Sequence, residues 1–417
     1  MKIAVIGAGI IGVTTAYELA CDGHEVVVLE RRGAAAEEAS FATAGLVSTG
    51  NVSPWAAPGF PTAVLKQLFS RHTPVRLALP LSLSELKWIW HWAQANQMET
   101  YWATRAQLQQ LALYSQNRLH HLTSDLKLAY DRSEGQLVLL RTEKDSQLLQ
   151  PSLQALRDAD MPFKELGPQE TQAIESSLNT HTPLFGSVHF PQDEVGNCRQ
   201  FALLLKNEAQ RRGVKFSFNT TVTRLTHGPD VRVSVSGETA AHHFDAAVVC
   251  AGIDSTRLLT PFKLKIPLIA VSGYAISTQI REPLNAPQSA IIDEHHKVAI
   301  CRLGNRIRVA GTAEIGGPAG KKNPDTLKTL YKVLNEWFPG AANLSSGVQE
   351  WKGARPMLPD GAPVLGFSGH PGIWLNLGHG ANGWTLSCGS ARAVADLVSG
   401  RAPSLDLSGF SVARLSK

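Results

Sequence analysis

The chain has 417 residues, enough for two or three domains or for one large domain with an insertion. Its hydrophobic share of 43% is that of a globular protein, and a net charge of +5 without a long basic block gives no reason to expect a nucleic-acid partner. Cys21, Cys198, Cys250, Cys301 and Cys388 are scattered, with no C-x-x-C pair or His/Cys cluster, so neither a disulfide framework nor a metal site is expected.

The first element is an apolar run, Ile3 to Ile6, ending in Gly7-Ala8-Gly9-Ile10-Ile11-Gly12. A helical pattern follows through Val13, Ala16, Tyr17, Leu19 and Ala20. Gly23 stops it, and a second apolar run, Val26 to Leu29, ends in Glu30. This is the strand, turn, helix, strand order of a dinucleotide site. Gly7 permits the tight turn, Gly9 lets backbone approach a pyrophosphate, and Gly12 lets the helix pack on the strand. The helix start at Ile10 and Ile11 turns unpaired N–H groups and a partial positive charge towards the phosphates. Glu30 accepts hydrogen bonds from an adenosine ribose. Its carboxylate would repel a 2′-phosphate, so FAD or NAD fits better than NADP; Arg31 and Arg32, directly after it at the cofactor's edge, soften that exclusion.

Met1-Lys2 and the apolar residues after it could pass for a signal peptide, but the phosphate-binding glycines interrupt the run and cleavage would destroy the site. No run of roughly 18 apolar residues occurs. A cytoplasmic protein is expected.

Small residues dominate Ala34 to Gly50, the stretch that holds Ser40, Ala44, Gly45 and Leu46. Such a stretch suits backbone lying against a flat ligand, and equally an ordinary surface loop. Pro54, Pro58 and Pro61 break regularity. From Ala63 to Gln97 the chain is apolar, basic and tryptophan-rich, with Leu83, Leu86, Ile89 and Trp90 at helical spacing. Trp88, Trp90 and Trp92 either pack in a core-facing helix or, with Lys66, Arg71, Arg76 and Lys87, sit at an anionic bilayer surface. Helices are predicted over 103–124, 146–158, 197–212, 324–337 and from about Thr385 to Leu397, and a strand over 135–141. The run Val214 to Phe218 reads as a strand, Val231 to Val235 alternates, and Phe244 to Cys250 is a buried strand ending in Ala251-Gly252. Val222 precedes the alternating run. Short alternating strands at Gly273 to Ser277, Val298 to Arg302 and Arg306 to Ala310 predict an antiparallel sheet suited to covering a ligand. A strand over Ile373 to Asn376 leads into Gly378-His379-Gly380-Ala381-Asn382-Gly383-Trp384-Thr385.

Several of these segments together carry a family. They are Ile6 to Gly12 with Glu30, Ala44-Gly45-Leu46, Ser53-Pro54-Trp55-Ala56-Ala57-Pro58-Gly59, Ala251-Gly252, Gly353-Ala354-Arg355-Pro356 and Gly378 to Thr385. In this order and spacing the chain resembles, along its whole length, the FAD-dependent D-amino-acid oxidase-like oxidoreductases, and among them the bacterial D-amino acid dehydrogenase branch of small-subunit type. One departure is Ser272, where the family often carries Lys before Gly-Tyr.

The resemblance implies an α/β chain, α+β overall: a Rossmann-like FAD-binding domain with an inserted substrate domain built on an antiparallel sheet. Residues 1–50, 191–262 and 351–417 would form the discontinuous FAD domain, and 51–190 with 263–350 the substrate domain. The FAD would be non-covalent, since no cysteine sits in an attachment motif. Trp55, Ala251, Gly252 and Gly353 would line it, and the Val222 backbone would meet its adenine. The backbone from Gly378 through His379, Gly380, Asn382, Gly383, Trp384 and Thr385 would face the flavin N1–C2=O edge, where a helix start favours the charge of reduced flavin. His379 reads as a loop residue beside the flavin rather than a general base.

Arg355 is the candidate for the substrate carboxylate: a guanidinium offers two parallel donors, although a structural ion pair is the plainer reading of the residue alone. Tyr274 is either a phenol aimed at the same carboxylate or a sheet tyrosine with its ring packed. The implied reaction is oxidation of a D-amino acid to a 2-oxo acid and ammonia by hydride transfer to FAD. Its electrons would pass to a quinone-like acceptor, with a peripheral contact on the inner face of the membrane. Relatives acting on glycine, sarcosine or a D-proline derivative would use the same scaffold.

Overall fold

The computed structural model describes residues 1–55, 75–95, 97–318 and 320–416. Two sheets organise them. The first is built from buried apolar runs, as a strand covered on both faces must be. Its order is Val364–Phe367, Ile373–Leu377, Ala246–Val249, Lys2–Ile6, Glu25–Leu29, Lys215–Ser217. All neighbours are parallel except the edge pair Val364–Phe367 with Ile373–Leu377. The helices Ile10–Cys21, Cys198–Arg211 and Gly383–Val398 share one apolar core with this sheet, through Val13, Phe201 and Leu386 among others. Asn197 caps the second of these helices, its side chain accepting from Gln200 N–H.

The second sheet follows the path Gln349–Met357, Ile269–Gln279, Arg306–Gly316, Val298–Leu303, Ala290–Asp293, Arg132–Leu140, Gly186–Gly196, Leu46–Val47. It is mostly antiparallel, but Ala290–Asp293 runs parallel to Arg132–Leu140, and Val75–Ala78 runs parallel to Arg306–Gly316. The amphipathic helix Pro324–Trp337 covers one face, burying Leu327, Leu330, Leu334 and Trp337 against Tyr274, Ile276 and Val309. A small sheet of Val222–His227, Val231–Val235 and His242–Phe244 flanks the first.

Three strands of the large sheet lie close to or across the boundaries expected from sequence. Leu46–Val47 precedes residue 50, Gly186–Gly196 spans 190–191, and Gln349–Met357 spans 350–351. Gly353, Arg355 and Pro356 of the family motif lie within this last strand. Gly186–Gly196 was not predicted at all, because Pro191, Gln192, Asp193 and Glu194 obscure its alternation; Pro191 itself is exposed.

The tryptophan-rich stretch divides by helix face. In Leu83–Ala95, Trp88 and Trp92 are buried, whereas Trp90 is 59% exposed. Lys66, Arg71 and residues 56–59 of the Ser53–Gly59 motif lie outside the described residues. Among the described residues no helix is long and apolar enough to cross a membrane.

Candidate functional site

The Gly-x-Gly-x-x-Gly turn joins the Lys2–Ile6 strand to the Ile10–Cys21 helix, and its three glycines have three different jobs. Gly7 has φ +103°, and a Cβ there would come within 2.7 Å of the Cys250 carbonyl oxygen. At Gly12 a Cβ would lie 1.8 Å from the Gly7 carbonyl oxygen, so this glycine serves helix–turn packing. At Gly9, by contrast, a Cβ would meet nothing closer than Ser40 Oγ at 3.4 Å. Across the cleft Gly252 has nothing within 4 Å of its Cβ position. The turn is therefore closed where it supports itself and open where a phosphate has to approach.

The cleft in front of that turn is lined by Gly7, Gly9, Ile10, Ile11, Glu30, Arg31, Ser40, Val222, Ala251 and Gly252, with Ala354 and Pro356 reaching it from the large sheet. Glu30 directly follows the Glu25–Leu29 strand and is 8% exposed. Its Oε2 accepts from Ala8 N–H at 2.6 Å and its Oε1 from Arg32 N–H at 2.8 Å. Each oxygen keeps a second lone pair, which suits a ribose diol. Arg31 is tied to Asp254 and to Glu38, and Arg32 to Glu38. Ser40 Oγ accepts from Ile10 N–H at 3.0 Å and so caps the helix start. The Val222 carbonyl accepts from Arg257 Nη2 at 2.9 Å.

The second half of the candidate site lies where the first turn of the Gly383–Val398 helix clamps residues 44–50. Trp384 Nε1 donates to the Gly45 carbonyl at 3.1 Å and Thr385 Oγ1 to the Leu46 carbonyl at 3.2 Å. The buried Asp193 carboxylate holds the far end, accepting from Ser48 Oγ, from Thr49 N–H at 2.8 Å and from Gly50 N–H at 3.1 Å. Asn382 Nδ2 donates to the Ser53 carbonyl at 3.1 Å. Gly378 and Gly380 have φ of +80° and +55°, and a Cβ at either would strike Leu358 or Met357. Met357 forms a backbone bridge to His379, which links this loop to the strand that carries Arg355. His379 is 3% exposed, its Nε2 lies 3.1 Å from Ser390 Oγ, and burial pushes its imidazole down to about 3.

Arg355 stands on the inner face of the large sheet. Gly273 and Gly353 face each other across the Ile269–Gln279 and Gln349–Met357 strands. A Cβ at Gly273 would come within 2.4 Å of Arg355 Nη2, so the guanidinium lies flat over this glycine. A β-bulge completes the seat. Ser272 pairs with Glu314 and Tyr274 with Gly311, leaving Thr312 and Ala313 opposite Gly273. Thr312, at φ +58°, presents its carbonyl to Arg355 Nη1 at 3.0 Å. Among the described residues no carboxylate lies within salt-bridge distance of Arg355. Its burial alone pushes the guanidinium down to about 10. The side chain is deep yet partly accessible, as expected of a group lining an internal cleft.

Three aromatic candidates have their rings packed against other side chains. Tyr274 follows Gly273 in the strand and so faces the opposite side of the sheet. It is 1% exposed, its hydroxyl donates to Glu314 Oε2 at 3.1 Å and accepts from Asn323 N–H at 3.2 Å, and its ring packs under the Pro324–Trp337 helix. Burial, followed by the nearby Glu314 carboxylate, holds the phenol above its ordinary range. Trp55 stacks on Trp92 and Trp88, with centroids 5.1 and 5.8 Å apart, and is not among the residues that line the dinucleotide cleft. The Trp384 ring turns into the core between Tyr130 and Phe201. Gly273 and Thr312 were not foreseen as site residues. Two glycines inside strand-like runs, a mark of close approach, were the available signal; the Thr312 carbonyl left none.

A doubly wound parallel sheet, an open glycine turn and a ribose-side carboxylate define a dinucleotide-binding protein, here roofed by a second sheet with a deep-set arginine that has no carboxylate partner among the described residues. The chain belongs to the family described as FAD dependent oxidoreductase, whose model matches residues 2–397. FAD is thus its cofactor, and the open positions at Gly9 and Gly252 with Glu30 at the rim fit it. The chain is similar to proteins named D-amino acid dehydrogenase. It is 40% identical to that of Bradyrhizobium diazoefficiens, covering 99% of each chain, and 38% identical to that of Rhizorhabdus wittichii, covering 99% of this chain and 100% of the relative. Among solved structures, glycine oxidase from Geobacillus kaustophilus shares the fold with a TM-score of 0.78 at 22% identity, covering 99% of this chain and 98% of the other. L-proline dehydrogenase from P. horikoshii does so with a TM-score of 0.74 at 16% identity, covering 100% and 97%.

Proposed function

We propose that this protein oxidises D-amino acids to 2-oxo acids and ammonia and passes the electrons to a quinone-like acceptor. The observation that carries the reading is Arg355, a deep, largely desolvated cation with a backbone carbonyl but no carboxylate for a partner among the described residues. A buried charge left unpaired is costly, and a planar fork is matched by a carboxylate. The α-carboxylate of an amino acid supplies that partner. The full-length likeness to proteins named D-amino acid dehydrogenase supports the choice of class and enantiomer.

In this reading the parallel sheet and its cleft hold the cofactor, and the large sheet holds the substrate over it. Gly7, Gly9, Ile10, Ile11, Gly12, Glu30, Ser40, Val222, Ala251 and Gly252 serve the adenosine and pyrophosphate. Ala44, Gly45 and Leu46, with the backbone from Gly378 to Thr385, serve the ring end. FAD would supply the two-electron oxidant for the substrate's Cα–H bond. Arg355 orients the carboxylate, and Gly273 with the Thr312 carbonyl orients Arg355. The start of the Gly383–Val398 helix would favour negative charge on a ring bound beside it. His379, neutral and bonded to Ser390, takes no part in proton transfer.

A peripheral membrane contact is supported by one flank of the Leu83–Ala95 helix. Leu83, Leu86 and Trp90 are 78%, 49% and 59% exposed at helical spacing, and Leu79 just before the helix is 79% exposed. Turnover of D-amino acids with a quinone analogue far above turnover with oxygen, yielding equal amounts of 2-oxo acid and ammonia, is the expected result. Rapid peroxide formation without quinone activity would make the protein an oxidase instead. Anionic vesicles should retain the protein and release the Trp90→Ser, Leu86→Ser variant; equal retention of both would refute this contact.

A further inference from the structure

The face of the large sheet that carries Arg355 is floored by very small residues. Gly273 and Gly353 pair with each other, and one step along, Ala275 pairs with both Trp351 and Ala310. Such a floor leaves room above it, and two large side chains bend into that room. The Arg355 guanidinium lies over Gly273, as described. The Trp351 indole lies over Gly353: a Cβ there would fall 1.5 Å from Cη2 of the ring. The two glycines are cross-strand partners, so guanidinium and indole sit side by side, about one strand spacing, ~4.8 Å, apart. Phe41 backs the indole, its ring stacked with centroids 6.4 Å apart at 24°. Trp351 is not fully buried.

We infer that Trp351 determines substrate choice by forming the wall against which the substrate's side chain lies, selecting D-amino acids with apolar side chains. This rests on the reading of Arg355 as the carboxylate anchor. A carboxylate held there places Cα within a few ångströms of the indole edge. Any side chain that turns towards the wall gains apolar contact with it, and a charged one loses hydration there without a partner. Gly353 is part of the same device, because only glycine leaves the indole its place. Trp351 is a specificity-determining residue, not a participant in hydride transfer.

The test compares FAD-loaded wild type, Trp351→Ala, Trp351→Phe and Gly353→Ala in a dye-coupled assay with D-alanine, D-leucine and D-phenylalanine. Bound FAD per chain serves as the check on folding. Trp351→Ala should lower kcat/KM for D-leucine and D-phenylalanine by roughly tenfold or more, the worth of one buried apolar side chain. For D-alanine, too short to reach the wall, the change should stay within about threefold on the same scale. Trp351→Phe should fall between, and Gly353→Ala, which displaces the indole, should follow Trp351→Ala. If Trp351→Ala fails to load FAD, the Trp351→Phe and Gly353→Ala ratios decide alone. A uniform loss across the three substrates, or none, would overturn the inference and leave the functional reading standing. Failure of wild type to turn over any D-amino acid would overturn both.

Discussion

Gly273 lies directly beneath Arg355, so close that a Cβ would come within 2.4 Å of Nη2 and 2.5 Å of Cζ. The absent side chain is what seats the guanidinium. Gly273→Ala should therefore displace Arg355 without removing it. The loss in kcat/KM with D-amino acids is expected to be on the order of 100-fold, the effect of a misplaced anchor, with FAD content unchanged. Steady-state kinetics alongside flavin quantification check it.

Arg355→Lys keeps the charge and loses the fork. A single ammonium cannot match a carboxylate in two parallel bonds, and kcat/KM should fall by about 2 kcal/mol or more in transition-state stabilisation. Unaltered kinetics would make Arg355 a structural cation and move the carboxylate site elsewhere.

The last two glycines of the turn should separate folding from cofactor binding. Gly9→Ala has 3.4 Å of clearance to Ser40 Oγ, so the apoprotein should fold with near wild-type stability yet bind little FAD. Gly12→Ala drives a Cβ into the Gly7 carbonyl at 1.8 Å and should destabilise the apoprotein itself by about 1–3 kcal/mol or more. Urea unfolding of both apoproteins, together with flavin titration, distinguishes the two losses.

Tyr274→Phe removes a hydroxyl that joins Glu314 to the Asn323 backbone on the far side of the sheet. Stability should fall by about 1–3 kcal/mol, since Glu314 and an N–H are left short of a partner. KM should hardly change. A large rise in KM with intact stability would return Tyr274 to the substrate site.

His379 gives a pH signature. Its folded value, about 3, is below the ordinary histidine value of 6.5 because the buried ring is kept neutral. The unfolded chain therefore binds a proton first as pH falls. The stability associated with the neutral ring is present above about 6.5 and is lost as pH drops towards about 3, at up to about 1.4 kcal/mol per pH unit. His379→Gln should flatten the pH dependence of the denaturation midpoint over that window and leave the pH–rate profile unchanged near neutrality.

How much was legible in the sequence follows from which interactions are local. The turn from Gly7 to Gly12 and the acid at Glu30 are a contiguous strand–turn–helix–strand unit, so spacing alone specified it. Val231–Val235 and Pro324–Trp337 were likewise legible, because one buried face imposes a clear period on each. Tyr274 and Arg355 looked like partners because both stand near glycines in motif-bearing stretches. Which face of a strand each takes depends on the register between Ile269–Gln279 and Gln349–Met357, a pairing across some 80 residues that no local pattern encodes. Trp55 was drawn to the cofactor by its motif, whereas its ring is held by Trp88 and Trp92, placed there by the fold of a later helix. The bulge at Thr312 left no mark in composition.

The central claim, that Arg355 anchors a D-amino acid over FAD, is tested most directly by anaerobic mixing of the FAD-loaded protein with D- and L-enantiomers of the same amino acids. The expected result is rapid bleaching of the flavin by D-amino acids in wild type, little by L-amino acids, and a much slower D-amino acid reaction in Arg355→Lys. Bleaching by the L-enantiomers alone, by neither series, or at equal rates in wild type and Arg355→Lys would contradict it.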